Sequence, residues 1–166
     1  MCGIIAYSGK RDDGSKIVIR GLKTLEYRGY DSWGLGYIGF NGSFVAPVKR
    51  VGSIGYLKNT DPDIRDLMRA KASVAIGQTR WATTGKVSKI NSHPHFSQSG
   101  KIMLVQNGIV ENFTELKNQL IHSGFRFKSE TDTEVIVNLI EYELNKQKSK
   151  QKSFTNAVRS AFLRLK

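Results

Sequence analysis

Cys2 is the single cysteine of the chain and directly follows the initiator methionine, in Met-Cys-Gly-Ile-Ile. Removing one residue would put a thiol nucleophile and a free α-amine on the same residue. A free α-amine titrates near ~7.7–8.0 and a thiol near ~8.5, so the amine can accept the thiol proton around neutral pH. N-terminal nucleophiles use this pairing, in which no second side chain is needed as base. The competing reading is a small hydrophobe that opens a strand. Further polar and glycine-rich segments stand where elements begin or end, the usual place for function. They are Glu26-Tyr27-Arg28-Gly29-Tyr30-Asp31-Ser32, Thr79-Arg80-Trp81-Ala82-Thr83, His93-Pro94-His95, Asn107-Gly108-Ile109-Val110-Glu111-Asn112 and Ser129-Glu130-Thr131-Asp132-Thr133-Glu134.

The elements that must hold these segments follow from periodicity. Gly3 to Ser8 is a short apolar run that fits a buried strand. Between Asp13 and Tyr27, apolar residues recur at helical spacing behind an acidic start. Trp33 to Phe40 and Phe44 to Val51 read as a hairpin around Asn41-Gly42. Asp61-Pro62-Asp63 opens a helix with Ile64, Leu67 and Met68 on its apolar face, and Ser73 to Gln78 is a second buried strand. Gly85 to Gly100 lacks periodicity and reads as a loop; Ile102 to Val105 reads as a strand. Asn112 with Glu115, and Thr131 with Glu134, have capping-box spacing and predict two helix starts. A last amphipathic helix carries Phe154, Val158, Ala161, Phe162 and Leu165. Helices and strands are mixed, with hairpins among them, so the class is α+β.

Composition narrows the function. At 166 residues the chain fits one domain or a piece of one. No apolar stretch approaches the ~20 residues of a membrane span, and no secretory signal opens the chain. One cysteine excludes an intrachain disulfide, and the cytoplasm is the expected compartment. The net charge of +12 is spread along the chain. Its densest run, Lys146, Lys148, Lys150 and Lys152, has no aromatic residue for base stacking, so it reads as a solvated linker, with a nucleic-acid contact as the alternative. His93 and His95, two apart without a nearby cysteine, make a poor zinc pattern, and neither a metal nor a cofactor is expected.

Together with Cys2-Gly3-Ile4, the segments resemble the glutaminase domain of class II glutamine amidotransferases. Within that class, Glu26-Tyr27-Arg28-Gly29-Tyr30 and Thr79-Arg80-Trp81-Ala82-Thr83 resemble most the amino-sugar branch, the glutamine–fructose-6-phosphate aminotransferases. The resemblance spans nearly the whole chain, and residues 2–166 are assigned to one such domain. It implies an N-terminal-nucleophile hydrolase fold, an αββα sandwich. It also implies that Cys2 attacks the side-chain amide of glutamine, forms a γ-glutamyl thioester and releases ammonia, after which water yields glutamate.

The resemblance assigns the oxyanion donors to the Asn107 side chain and the Gly108 backbone N–H, whereas the two residues alone would read as a type I′ turn. It assigns the α-carboxylate of glutamine to Arg80, whose guanidinium can bind bidentately, and the α-ammonium to Asp132. The resemblance also implies that Thr83 and His93 line the same pocket and that Trp81 stands beside it and its ammonia exit. In isolation Arg80 would be a surface ion pair, Asp132 a helix-terminal acid and Trp81 a core residue. Arg28 and Asp31 are structural residues that order the loop around the nucleophile.

Three positions depart from the resembled pattern. Thr84 and Gln106 stand where histidine is usual, and Trp33 replaces a small residue. Overpacking at Trp33 would cost ~1–3 kcal/mol if it faced the site. The resembled domain also continues beyond residue 166, and its sugar-phosphate isomerase half would use the ammonia on fructose 6-phosphate. The chain is therefore expected to be an N-terminal portion with an incomplete sandwich, weakly active and marginally stable alone. Its expected partners are glutamine and an isomerase domain in the same longer chain or a separate one, with a homodimer in the full-length protein and no membrane or nucleic acid. The alternatives are the glutaminase part of another class II enzyme, such as a phosphoribosyl-pyrophosphate amidotransferase or asparagine synthetase, and a non-catalytic remnant with a basic binding surface.

Overall fold

The computed structural model describes residues 2–39, 41–83, 85–148 and 153–166. Met1, Phe40, Thr84, Lys150 and Lys152, on which some of the expectations fall, lie outside the described residues. The chain divides into two compact units, one running to Pro94 and including Val105–Asn107, the other comprising His95–Leu104 and Gly108–Lys166.

In the first unit the order is β1 (Gly3–Ser8), α1 (Gly14–Thr24), a 3-10 turn at Glu26–Arg28, β2 (Ser32–Gly39), β3 (Phe44–Val51), α2 (Pro62–Arg69) and β4 (Ala72–Arg80). The four strands form a sheet ordered β1-β4-β2-β3, antiparallel at each pairing. Pro47, which has no N–H to give a ladder, sits in β3 at the sheet edge. Asp61 caps α2 by accepting from the Asp63 and Ile64 amides, and its other oxygen pairs with Arg50 of β3. The predicted helix start is thus also a tether to the edge strand.

Strand alternation divides the sheet's side chains. Trp33, Leu35 and Tyr37 of β2, Ala75 of β4, and Ile5 and Tyr7 of β1 pack with Val18, Ile19 and Leu22 of α1 and Ile64 and Leu67 of α2. Side chains two apart share a face. Ile4, Gln78 and Arg80 therefore belong to the opposite face, and the register sets Ser32 opposite Arg80 and Gly34 opposite Gln78.

The second unit holds β5 (His95–Phe96), β6 (Met103–Leu104), α3 (Phe113–His122), α4 (Asp132–Lys146) and α5 (Phe154–Phe162). β5 pairs antiparallel with β6, so a short strand interrupts the segment expected to be a loop, and the strand expected over Ile102 to Val105 keeps only its middle. All residues from Asp132 to Glu141 are buried, and Val135, Ile136, Leu139 and Ile140 pack against Leu116, Leu120, Ala157 and Ala161. The polar residues among them are satisfied. Glu134 accepts from the Lys128 and Ser129 amides, Asn138 from the Gln98 amide, and Glu141 from the Ser99 amide and Ser97 hydroxyl.

Three local expectations are corrected here. Both capping-box spacings mark true helix starts, but neither side-chain cap forms. Asn112 is spent instead on the Arg164 carbonyl and Lys166 amide, and Thr131 meets His95 Nε2 at 3.0 Å. On α5, Phe154 and Phe162 are each 54% exposed, while Ala157 and Ala161 are fully buried. Small residues let α5 approach α4 closely, and the phenylalanines are left outside.

Candidate active site

In the first unit, the residues that could do chemistry gather around the backbone of Cys2. β1 begins immediately after it, and β1 pairs with β4 so that Gly3 lies opposite Thr79. The end of β4 is therefore carried to the thiol. The Trp81 amide donates to Cys2 Sγ at 3.2 Å, and the thiol in turn can donate to the Trp81 carbonyl at 3.4 Å.

The Cys2 carbonyl accepts from the Asn107 Nδ2 at 2.9 Å and from Arg28 Nε at 3.4 Å. Asn107 is fixed from its other end. Gln78 Nε2, on β4, donates both to Asn107 Oδ1 at 2.8 Å and to the Gln106 carbonyl. Asn107 is exposed and has no positive φ, so the type I′ turn, which needs φ > 0 at both central residues, is excluded. Gly108, which belongs to the second unit, has φ +155°, a region that favours glycine.

Asp31 is a structural clamp. Its carboxylate accepts from the Ala82 amide at 2.9 Å, and its own amide donates to the Arg80 carbonyl at 3.1 Å. The segment after β4 is thereby pinned beside Cys2. Trp81 is 45% exposed and meets Tyr30 edge-to-face at 5.4 Å, so it is not a core residue. Thr83 is exposed in the irregular segment that follows.

Arg80 is only 4% exposed, which removes the surface ion-pair reading. Its guanidinium donates to the carbonyls of Lys86 at 3.3 Å and Gly85 at 3.5 Å. His93 is also buried, and its Nδ1 accepts from the Gln106 amide at 3.3 Å. Burial, with the nearby positive charges of Arg80 and Lys49, lowers its pKa to about 3. The ring is neutral at physiological pH, with the proton on Nε2. Gly34 makes room for this segment, since a Cβ there would stand 2.1 Å from the His93 carbonyl oxygen.

Asp132 lies in the second unit, in the first turn of α4, and is 5% exposed. Its Oδ2 accepts from the Val110 amide at 2.9 Å. Among the described residues, no group of three or more His, Cys, Asp and Glu side chains could hold a metal ion, and no helix is long and apolar enough to cross a membrane.

The three departures from the resembled pattern are now separable. Trp33 points to the helix-covered face with Leu35, away from Gln78 and Arg80, so it fills the core and does not crowd the site. Gln106 contributes through its backbone amide and carbonyl, which do not depend on its side-chain type. Thr84 lies outside the described residues. Sequence reading missed Gln78, although it stands two residues before Arg80 on the same strand face. That spacing was the available signal.

Comparison with known proteins bears on the family and the fold. The family described as "Glutamine amidotransferase domain" matches residues 36–151. A glutamine–fructose-6-phosphate aminotransferase (isomerizing) of Bacteroides thetaiotaomicron is 48% identical over 144 residues, covering 86% of this chain and 22% of the relative. Its counterpart in Staphylococcus aureus is 43% identical over 158 residues, covering 95% of this chain and 25% of the relative. The chain thus spans about a quarter of the length of the curated relatives it matches. Among solved structures, the allosteric regulatory enzyme of purine biosynthesis superposes over 100% of this chain and 33% of its own, with TM-score 0.76 and 25% identity. The glutamine phosphoribosylpyrophosphate amidotransferase from B. subtilis, with ADP and GMP, covers the same shares with TM-score 0.75 and 24% identity. The α+β fold is that of the N-terminal-nucleophile glutaminase domain in these enzymes. The chain belongs to the glutamine amidotransferase domain family.

Proposed function

We propose that residues 2–166 are a glutaminase domain that hydrolyses glutamine through a Cys2 thioester and releases ammonia. The observation that carries this is the convergence of the Trp81 amide on Cys2 Sγ and of the Asn107 amide on the Cys2 carbonyl. After removal of Met1, the α-amine takes the thiol proton and sulfur adds to the γ-carbonyl carbon. Asn107, with the Gly108 N–H, donates to the oxyanion. As it collapses, the carbon–nitrogen bond breaks and the amine returns its proton to the departing ammonia. Water then cleaves the thioester to glutamate and restores the thiol.

Arg80 is the residue proposed for the α-carboxylate, and burial of its guanidinium supports a role inside the protein. Asp132 is proposed for the α-ammonium, Thr83, His93 and Trp81 for the pocket walls, and Arg28 and Asp31 for ordering the nucleophile's surroundings. Identity of 43–48% to glutamine–fructose-6-phosphate aminotransferases, against 24–25% to the purine-branch structures, supports the amino-sugar branch. The ammonia would then go to fructose 6-phosphate on an isomerase domain, giving glucosamine 6-phosphate in the cytoplasm. The test is intact mass and glutamate release from the full-length protein. Mass lacking Met1, glutamine-dependent glutamate and glucosamine 6-phosphate are expected; no glutamate from the processed protein would overturn the glutaminase reading.

A further inference from the structure

We infer that Gln78 is a positioning residue that sets which way the Asn107 amide faces, and so whether an oxyanion donor exists; the inference rests on the glutaminase reading above. Oxygen and nitrogen of a side-chain amide have nearly the same shape, so their assignment must come from the hydrogen-bond network. Here the network starts from two groups that cannot be exchanged. The Gln106 backbone carbonyl is an acceptor only, and it meets the Gln78 amide. Gln78 must therefore present its NH₂ there. The same NH₂ faces the Asn107 amide, which must answer with oxygen, at 2.8 Å. The Asn107 nitrogen is then turned to Cys2, where the second fixed acceptor, the Cys2 carbonyl, receives it at 2.9 Å.

The relay runs from Gln106 C=O through Gln78 and Asn107 to Cys2 C=O, and each donor and acceptor has one consistent direction. Gln78 is suited to hold it because it is 1% exposed and lies on β4, between β1 and β2 in the sheet. Its Oε1 is buried with no hydrogen-bond partner among the described residues. Leaving that oxygen unsatisfied is tolerated while the NH₂ makes two bonds, and flipping the amide would set oxygen against two oxygens. Asn107 is exposed, so without Gln78 its amide could turn over and offer oxygen to the developing oxyanion.

The experiment is a kinetic cycle in the full-length protein after Met1 removal, comparing Gln78→Met, Asn107→Ala and the double variant. Gln78→Met keeps length and removes the donor. It should lower kcat for glutamine hydrolysis by about one order of magnitude, against two to three for loss of the donor itself. KM for glutamine should stay within about twofold, because the α-carboxylate contact is not touched. The double variant should match Asn107→Ala within about twofold, since the two residues act as one unit. A merely structural role would lower Tm and leave kcat of the folded protein unchanged, and a contribution to kcat independent of Asn107 would give multiplying losses in the double variant. Wild-type kcat in Gln78→Met, or such multiplying losses, overturns the assignment. An unaltered protein that releases no glutamate overturns the glutaminase reading and this inference with it. Should Gln78→Met fail to fold, the Gln78 side-chain amide resonances of the unaltered protein decide: Asn107→Ala should shift them, and unshifted resonances overturn the contact.

Discussion

The Asn107 side-chain nitrogen lies 2.9 Å from the Cys2 carbonyl oxygen, across 105 positions of chain. That contact places a donor beside Cys2, the residue proposed as nucleophile. Asn107→Ala should lower kcat by about two to three orders of magnitude with a small change in KM, because the donor matters most in the transition state. Steady-state glutaminase kinetics check it; a large KM rise with intact kcat would assign Asn107 to substrate binding.

The chain should depend on a free Cys2 amine. Cys2→Ala is expected to abolish glutamine hydrolysis, and a protein blocked at Met1 should be folded but inactive. A glutamine analogue with an electrophilic γ-carbon should label Cys2 alone, as read by peptide mass. Equal turnover with Met1 retained contradicts the role of the amine as base.

Arg80→Ala should act mainly on KM. The contact proposed for the α-carboxylate exists in ground and transition states alike, so its loss weakens both. Arg80 is also buried, and its guanidinium holds the carbonyls of Gly85 and Lys86. Removal should therefore lower Tm too, and Arg80→Lys should recover part of the stability but little of the affinity, since an ammonium lacks the bidentate fork.

His93 should make stability fall in acid without contributing a limb to the activity profile near neutrality. Its folded pKa, about 3, lies below the ordinary 6.5, so above pH 6.5 neither state is protonated at this residue. Between 6.5 and about 3 the unfolded chain takes up a proton that the folded chain refuses. Stability is then lost at up to about 1.4 kcal/mol per pH unit as pH falls. Denaturant melts from pH 7 to 4 of the unaltered protein and of His93→Gln measure it; the variant should show a shallower slope.

Gly34→Ala should destabilise through the His93 segment. The added Cβ would stand 2.1 Å from the His93 carbonyl oxygen and 2.9 Å from that of Val48. Both are backbone, so the strand or the segment must move, at a cost of roughly 1–3 kcal/mol. Thermal melts give the loss, and a raised KM for glutamine would accompany it if His93 lines the pocket.

Much of this was legible in the sequence, because local physics decides it. Alternation and helical spacing located β1–β4 and α1–α5 to within a few residues, and Asp61-Pro62-Asp63 announced α2 with the cap it has. Residue type and order single out Cys2, Arg80, Trp81 and Asn107 as candidates. Other features depended on residues distant in sequence. Asn112 and Thr131 have ideal capping spacing, yet their side chains went to Arg164, Lys166 and His95, which the chain brings to them only on folding. Trp33 directly follows the Asp31-Ser32 segment in sequence, but the β2–β4 register assigns it to the helix-covered face. A one-residue shift of register would have reversed that assignment. Gln78 looked like any strand residue; its meaning comes from Gln106 and Asn107, which lie 28 and 29 positions away. Sequence by itself determined which groups could react, since side-chain chemistry is a property of the residue. Tertiary structure alone decided which way those groups face, since orientation is set by partners that only the folded chain supplies.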